Sequence, residues 1–137
     1  MLKDIAALMN MTEEEIKTHP HLLVNAFDHQ HRVLFWNKQC ESFFNISQDK
    51  ALGKILEDLV PYSRDNKKME HLQKALSGHP VYLANETYDN KKGFYDQVVL
   101  PLKDVDGNVI AAVNIVIDIS FMNAKNPMKF SLLKGLR

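Results

Sequence analysis

The amino-acid sequence predicts an α+β domain, in which a five-stranded antiparallel sheet carries short helices on one face and follows a helical N-terminal extension. Two observations predict this fold. The stretch from Val109 to Ile117 is apolar except for Asn114 and rich in β-branched residues, which favours a strand covered on both faces. Strand-like segments also come as one pair, then short helical segments, then three more strands. The strand at 109–117 should therefore be central in the sheet.

The composition restricts the functional class. The chain has 137 residues, 45% of them apolar, and no net charge, with 17 basic and 17 acidic side chains. A neutral chain without a local basic cluster is not expected to bind nucleic acid. A single cysteine, Cys40, fits a reducing compartment. The first residues include the charged Lys3 and Asp4 and contain no long apolar run, so we expect no signal peptide or membrane anchor. We therefore predict a cytoplasmic protein.

The first 20 residues are predicted to form a helical flank. The apolar residues at helical spacing are Leu2, Ile5, Ala6 and Met9. A second short helix should begin after Thr12, because Thr12 and Glu15 match a capping box and Met11 and Ile16 a hydrophobic staple. Both helices have a narrow apolar stripe, which needs a partner surface.

From Leu22 onward, the predicted elements alternate with clear turn and cap signals. The predicted strands are Leu22–Phe27, Val33–Trp36, Val81–Tyr88, Phe94–Lys103 and Val109–Ile117. One helix is predicted to begin after Asn37, and three more cover Gln48–Leu52, Ile55–Val60 and Arg64–Leu76. Asn37 is a suitable N-cap, and Asn45 tolerates the left-handed conformation at a helix end. Helices on one face would leave a cavity between sheet and helices, and an apolar outer face on the sheet.

Four polar residues are candidates for lining that cavity. Every second residue of a strand faces the same side of the sheet, so counting by twos from Val81 and back from Pro101 puts three of them on one face. Asn114 is expected on the same face, although a register slip of one residue would reverse the assignment. The set is Asn85, Tyr95, Gln97 and Asn114. Two interpretations of Asn114 stay open, because a buried amide is satisfied either by a ligand or by a neighbouring side chain or water.

Two segments of the sequence resemble a PAS domain. NAFDHQHRVLFWNKQCESFFNISQDKALGKILEDLVP is similar to the front half, with Asp28 in the first hairpin and Asn37 capping the next helix. LPLKDVDGNVIAAVNIVIDIS resembles the last two strands of the family, and its final Asp-Ile-Ser at 118–120 corresponds to the closing Asp-Ile-Thr of the family. The resemblance predicts a PAS domain at 21–120, followed by a linker or tail at 121–137.

Two positions depart from the PAS pattern. His31 stands where a turn glycine is usual, and Asn45 where a glycine usually ends a helix. Both residue types tolerate a positive φ better than most, so the fold is still expected.

The resemblance implies a sensory input module. PAS domains serve histidine kinases, cyclic-dinucleotide enzymes, chemoreceptors and transcription regulators; they bind a small molecule or cofactor between sheet and helices, and they dimerise through flanking helices and the back of the sheet. The polar set would then orient the ligand, and the apolar wall would be Phe43, Leu56, Leu59, Leu72 and Val116. The flank and dimer contacts would be Leu2, Ile5, Met9, Val113, Ile115 and Ile117. The alternative from another class is a ligand-free interaction and dimerisation domain whose pocket is filled by its own side chains.

A third alternative is a haem or flavin sensor, which the sequence does not favour. The flavin-binding LOV branch needs a cysteine just after the position of Gly53, where this chain has Lys54, and Cys40 is predicted to be a buried apolar residue. An axial haem ligand must point into the pocket, whereas His71 is expected at the edge of its helix or outside it.

Neither a metal site nor an enzyme is predicted. His21 and His29 should lie about 26 Å apart at opposite ends of a strand, so the histidines at 19, 21, 29 and 31 are interpreted as surface residues. The sequence has no phosphate-binding loop, nucleophile elbow or zinc-protease motif.

Overall fold

The computed structural model describes residues 1–59, 66–87 and 93–119, without the side chains of 66–68. The helices are α1 (Leu2–Met9), α2 (Glu13–Thr18), α3 (Lys38–Phe44), α4 (Gln48–Ala51), α5 (Leu56–Leu59) and α6 (Asn66–Leu76). The strands are β1 (Leu22–Phe27), β2 (Val33–Trp36), β3 (Val81–Glu86), β4 (Tyr95–Lys103) and β5 (Val109–Asp118). The predicted helix start at Arg64, strand end at Tyr88 and tail at 121–137 lie outside the described residues.

The five strands form one antiparallel sheet in the order β2-β1-β5-β4-β3. The apolar strand β5 is central, as its two-sided apolar pattern predicts. The local signals are also confirmed: Thr12 and Glu15 form both hydrogen bonds of the capping box at 3.1 Å. His31 and Asn45 adopt φ values of 66° and 55°, the conformations that glycine would otherwise supply.

Each face of the sheet carries its own apolar cluster. The back-face cluster consists of Ile5, Ala6, Met9 and Ile16 from α1 and α2, and of Leu22, Val24, Ala26, Phe35, Val98, Leu100, Leu102, Ala111, Val113, Ile115 and Ile117 from the sheet. The helix-face cluster consists of Leu23, Phe27, Val33, Trp36, Cys40, Ala51, Leu72, Ala75, Leu76, Val99, Ala112 and Val116. The N-terminal flank therefore covers the back of the sheet within one chain, and α3, α4 and α6 pack on the other face.

A β-bulge in β3 overturns the prediction for Asn85. Leu83 pairs with Gln97, but the next paired residue opposite Tyr95 is Glu86, so two residues of β3 face one residue of β4. Asn85 lies in this bulge with a φ of 55° and an exposed side chain. The prediction that Asn85 faces the cavity is wrong, because the extra residue shifts the alternation by one position.

A buried carboxylate stabilises the bulge. Asp96 is fully buried on the back face, where its Oδ1 accepts a hydrogen bond from the Asn85 backbone N–H at 3.1 Å. Its Oδ2 accepts a second bond from the Tyr82 hydroxyl at 3.0 Å. Burial and the neighbouring carboxylate raise the pKa of Tyr82 to about 12, which keeps the hydroxyl protonated as a donor.

Among residues 1–59, 66–87 and 93–119, no helix combines the length and apolarity needed to span a bilayer.

Candidate functional site

The helix-facing surface of the sheet carries a row of amides. Asn114 of β5 pairs with Asn25 of β1 on one side and with Val99 of β4 on the other. Gln97, one rung further along β4, donates a hydrogen bond from its Nε2 to Asn114 Oδ1 at 2.7 Å. The structure therefore brings together two of the predicted polar residues, and a neighbouring side chain binds the oxygen of the Asn114 amide.

A cavity of about 100 Å³ lies between α3 and the ends of the central strands. Its lining residues are Pro20, His21, Leu23, Gln39, Phe43, Tyr95, Val116 and Asp118. Phe43, Tyr95 and Val116 belong to the predicted site. The predicted wall residues Leu56, Leu59 and Leu72 belong to or pack against the same helix-face cluster without lining this cavity.

Aromatic and acidic groups meet in the cavity. The Phe43 and Tyr95 rings are arranged edge to face, with centroids 5.9 Å apart and an interplanar angle of 87°. Tyr95 pairs across the sheet with Asp118. Burial raises the pKa of Tyr95, and the nearby Asp118 carboxylate raises it further, so the phenol stays protonated near pH 7.

Asn25 is a polar residue of this surface that the sequence analysis missed. Its side chain is buried, and its Oδ1 has no hydrogen-bond partner among the described residues. It lies one rung from the cavity-lining pair Leu23 and Val116, about 7 Å along the strand. An unsatisfied buried acceptor costs about 1–3 kcal/mol, so the position favours a donor from a water or a ligand. The signal was present in the sequence, since Asn25 interrupts an apolar strand as Asn114 does.

The comparison with known families decides the fold family. The family model described as "PAS fold" matches residues 21–121. The chain belongs to the PAS family. A search of curated protein sequences finds no match.

Several solved structures resemble the chain over most of its length. The sensory box sensor histidine kinase from Vibrio cholerae is 14% identical, with a TM-score of 0.63 over 88% of this chain and 99% of that chain. The PAS domain from Bordetella pertussis BvgS is 21% identical, with a TM-score of 0.63 over 87% and 90%. A structure of VqmA bound to DPO is 13% identical, with a TM-score of 0.61 over 77% and 55%. At these identities the likeness shows a shared fold.

Asn37 does more in this PAS domain than cap a helix. Its Oδ1 accepts hydrogen bonds from the backbone N–H groups of Cys40 at 3.2 Å and Val24 at 3.1 Å. Its Nδ2 donates to the carbonyls of Ile16 and Leu22, both at 2.8 Å. One buried amide therefore joins α3, which lines the cavity, to β1 and to α2 of the N-terminal flank.

Cys40 lies in the helix-face cluster, consistent with its predicted role as a small buried residue. It is fully buried, burial raises its pKa, and Sγ donates a hydrogen bond to the Val24 carbonyl at 3.2 Å. A thiol held in the neutral form is a poor nucleophile.

His31 is not the surface residue that its sequence position indicated. Its ring is 14% exposed, with Nδ1 3.1 Å from Glu57 Oε1. Gln73 Nε2 donates to His31 Nε2 at 2.8 Å, so the ring links the first hairpin to α5 and α6. Within the described part of the chain, no three His, Cys, Asp or Glu side chains gather where they could hold a metal ion.

Proposed function

We propose that this PAS domain is a sensory input module that binds a small molecule in the cavity between α3 and the sheet. The observation that carries the proposal is the composition of the cavity wall: Phe43 comes from α3, whereas Tyr95 comes from β4 and Val116 and Asp118 come from β5. A ligand held there touches both layers of the domain, so it stabilises one relative arrangement of helix and sheet over others. The role is binding rather than catalysis.

In this proposal, the predicted site residues differ in how directly they contact the ligand. Phe43, Tyr95 and Val116 contact the ligand, and the Gln97–Asn114 pair extends the polar surface beside them. Leu56, Leu59 and Leu72 support the same apolar layer. Asn85 is not part of the proposed site, because the bulge in β3 exposes it.

Signal transmission is proposed to run through Asn37. A shift of α3 on ligand binding changes the geometry of the Asn37 amide, which also binds the Ile16 carbonyl of α2. Ile16 belongs to the back-face cluster together with Ile5 and Met9 of α1. Ligand binding would thereby shift the population of flank arrangements, and a homodimer or an effector attached to the flank would read that shift. The fold shared with a sensor histidine kinase supports a histidine kinase as the effector. We further propose that the signalling protein is cytoplasmic.

Haem and flavin do not fit the cavity. Sites for drug-sized molecules occupy about 300–1,000 Å³. The cavity beside α3 is about 100 Å³, so it suits a molecule or a head group of a few heavy atoms.

Native mass spectrometry of the freshly purified protein tests the proposal. We expect a non-covalent adduct that is lost on denaturation. Gln39 lies on α3 at the cavity, so a Gln39→Trp variant should block the site and lack the adduct. Lys38→Trp is the matched control, because the exposed Lys38 is the neighbouring residue of the same helix and does not line the cavity. A bare protein mass in all three samples would contradict the proposal.

A ligand-free interaction domain is the second candidate, and the aromatic packing favours it. Trp36 and Phe44 have ring centroids 5.1 Å apart, and Phe44 and Phe43 lie 5.0 Å apart. With Tyr95, these rings fill part of the space between helices and sheet. The same experiment separates the two candidates, because this one predicts a bare, dimeric protein.

A further inference from the structure

We propose that a buried water molecule lies between Asn25 of β1 and Asn114 of β5 and completes a row of side-chain hydrogen bonds from β4 to α3. The site does not depend on the proposed ligand binding, because neither asparagine lines the cavity beside α3. Three features of the helix face support this water: an acceptor without a partner, a neighbouring donor, and the hydrogen bonds on either side of them.

Asn25 provides the acceptor. Its side chain is 1% exposed, and its Oδ1 has no hydrogen-bond partner within the described part of the chain. Burying a carbonyl oxygen without a partner usually costs more free energy than immobilising one water molecule beside it. A donor at this oxygen is therefore favoured, and water is the smallest molecule that supplies one.

The Cys40 thiol fixes the orientation of the Asn25 amide. Burial raises the pKa of Cys40, and hydrogen bonds from the backbone and from the Asn25 side chain oppose that rise, as a donated N–H does. Asn25 Nδ2 therefore points at the sulfur. The reverse orientation would aim Oδ1 at a thiol whose proton is already donated to the Val24 carbonyl at 3.2 Å. The Asn25 oxygen is thus directed away from Cys40.

Asn114 provides the donor. It is the direct partner of Asn25 in the antiparallel pair of β1 and β5. Its Oδ1 accepts a hydrogen bond from Gln97 Nε2 at 2.7 Å, so Nδ2 is the end of its amide that can donate. Directly paired residues have Cβ atoms about 4.5–5.5 Å apart, and one water bridges polar atoms up to about 5.7 Å apart. A water between the two amides can accept from Asn114 Nδ2 and donate to Asn25 Oδ1.

The row then runs in one direction from β4 to α3. Each member donates to the next, in the order Gln97, Asn114, water, Asn25, Cys40 and the Val24 carbonyl. Hydrogen bonds in such a chain strengthen one another by polarisation. Val24 also donates its own N–H to Asn37 Oδ1 at 3.1 Å. The water therefore connects the Gln97–Asn114 pair to the residue that Asn37 binds.

Water-selective NMR of the ¹⁵N-labelled protein, refolded in ligand-free buffer, tests the site. A water that stays bound while the protein tumbles gives cross-peaks of opposite sign in NOESY and ROESY spectra, whereas chemical exchange gives the same sign. We expect bound-water cross-peaks at the side-chain amide protons of Asn25 and Asn114. Asn37 is the internal control: its amide is buried and bonded at both ends to the chain, so it should show none.

Two variants assign the cross-peaks to the water. Cys40→Ala removes the exchangeable thiol proton that would relay magnetisation from bulk water, and the cross-peaks at Asn25 should persist. Asn25→Leu removes the acceptor, so the bound-water cross-peak at Asn114 should be lost. If Asn25→Leu does not fold, the parent and Cys40→Ala spectra decide.

Each outcome either supports the water or overturns it. Bound-water cross-peaks at Asn25 that persist in Cys40→Ala support it. Their absence overturns it. A coupling across a hydrogen bond from Asn114 Nδ2 to the side-chain carbonyl carbon of Asn25 also overturns it, because the two amides would then bind each other directly. Cross-peaks at Asn25 from a molecule other than water, present before refolding and lost after it, would overturn it as well and would support the proposed function.

Discussion

The two faces of β5 belong to the same strand but have different surroundings. On the back face, Val113, Ile115 and Ile117 are sealed under α1 and α2, and the buried Asp96 has partners for both oxygens. On the helix face, Val116 borders a cavity, and Oδ1 of the neighbouring Asn25 has no hydrogen-bond partner in the part of the chain that the structure describes. From this difference in packing we propose that the back face mainly stabilises the domain and that the helix face holds the binding site.

The largest effect is expected at Asn37, which joins the two sides. Asn37→Ala removes a helix cap and leaves the Ile16 and Leu22 carbonyls without their amide donor, so the free energy of unfolding should fall by about 3–5 kcal/mol. Asn37→Ser keeps a capping oxygen and should lose less. Urea denaturation measures both, with Asn45→Gly as a control that should be nearly neutral at its left-handed position. Equal losses for all three variants would contradict the assigned role.

The next prediction compares the two faces with the same substitution in the same strand. Val113 lies in the back-face cluster at 0% exposure. Val113→Ala should therefore lower the free energy of unfolding by about 2–3 kcal/mol, because the neighbouring side chains cannot fill the new cavity. Val116→Ala enlarges an existing cavity and should cost only about 1 kcal/mol. Urea denaturation should rank them in that order. The reverse order would show that the helix face is the more tightly packed side.

The smallest effect is a pH dependence at His19, between α2 and β1. Burial lowers the pKa of His19 below 6.5, and the neighbouring His21 lowers it further. The unfolded chain therefore binds a proton at His19 more readily than the folded chain does. The stabilising contribution of neutral His19 is complete above about pH 6.5 and is lost as the pH falls through its lowered pKa in the folded state.

His19→Asn provides the matched variant for this pH dependence. His19 Nδ1 accepts a hydrogen bond from the His21 backbone N–H at 3.1 Å, and an asparagine oxygen can replace it without titrating. The difference in melting temperature between the parent and the variant, measured from pH 8 to pH 5, should change only below about pH 6.5. A constant difference over this range would refute the assignment.

Most of the fold could be predicted from the sequence because its signals are local. The two-sided apolar pattern of β5 made it central, and the pairs Thr12 with Glu15 and Asn37 with Cys40 begin helices as capping rules require. The family resemblance then supplied the layer arrangement. These features depend on residues close in sequence or on a periodic pattern.

The candidate site could be predicted only in part because its details depend on distant contacts. The bulge that exposes Asn85 is held by Asp96, eleven residues away, and strand alternation cannot anticipate it. The hydrogen bond from Asn37 to the Ile16 carbonyl spans 21 residues, which include both strands of the first hairpin. The cavity itself depends on where Phe43 packs against Tyr95, which no spacing rule specifies.

The most direct test of the contrast between the faces is methyl NMR of the isotopically labelled protein. Spectra would be compared before and after unfolding and refolding in buffer that removes any bound molecule. We predict large shift changes at Leu23 and Val116 beside the cavity and much smaller ones at Val113 and Ile115 on the back face. Identical spectra, or equal changes on both faces, would contradict a binding site confined to the helix face.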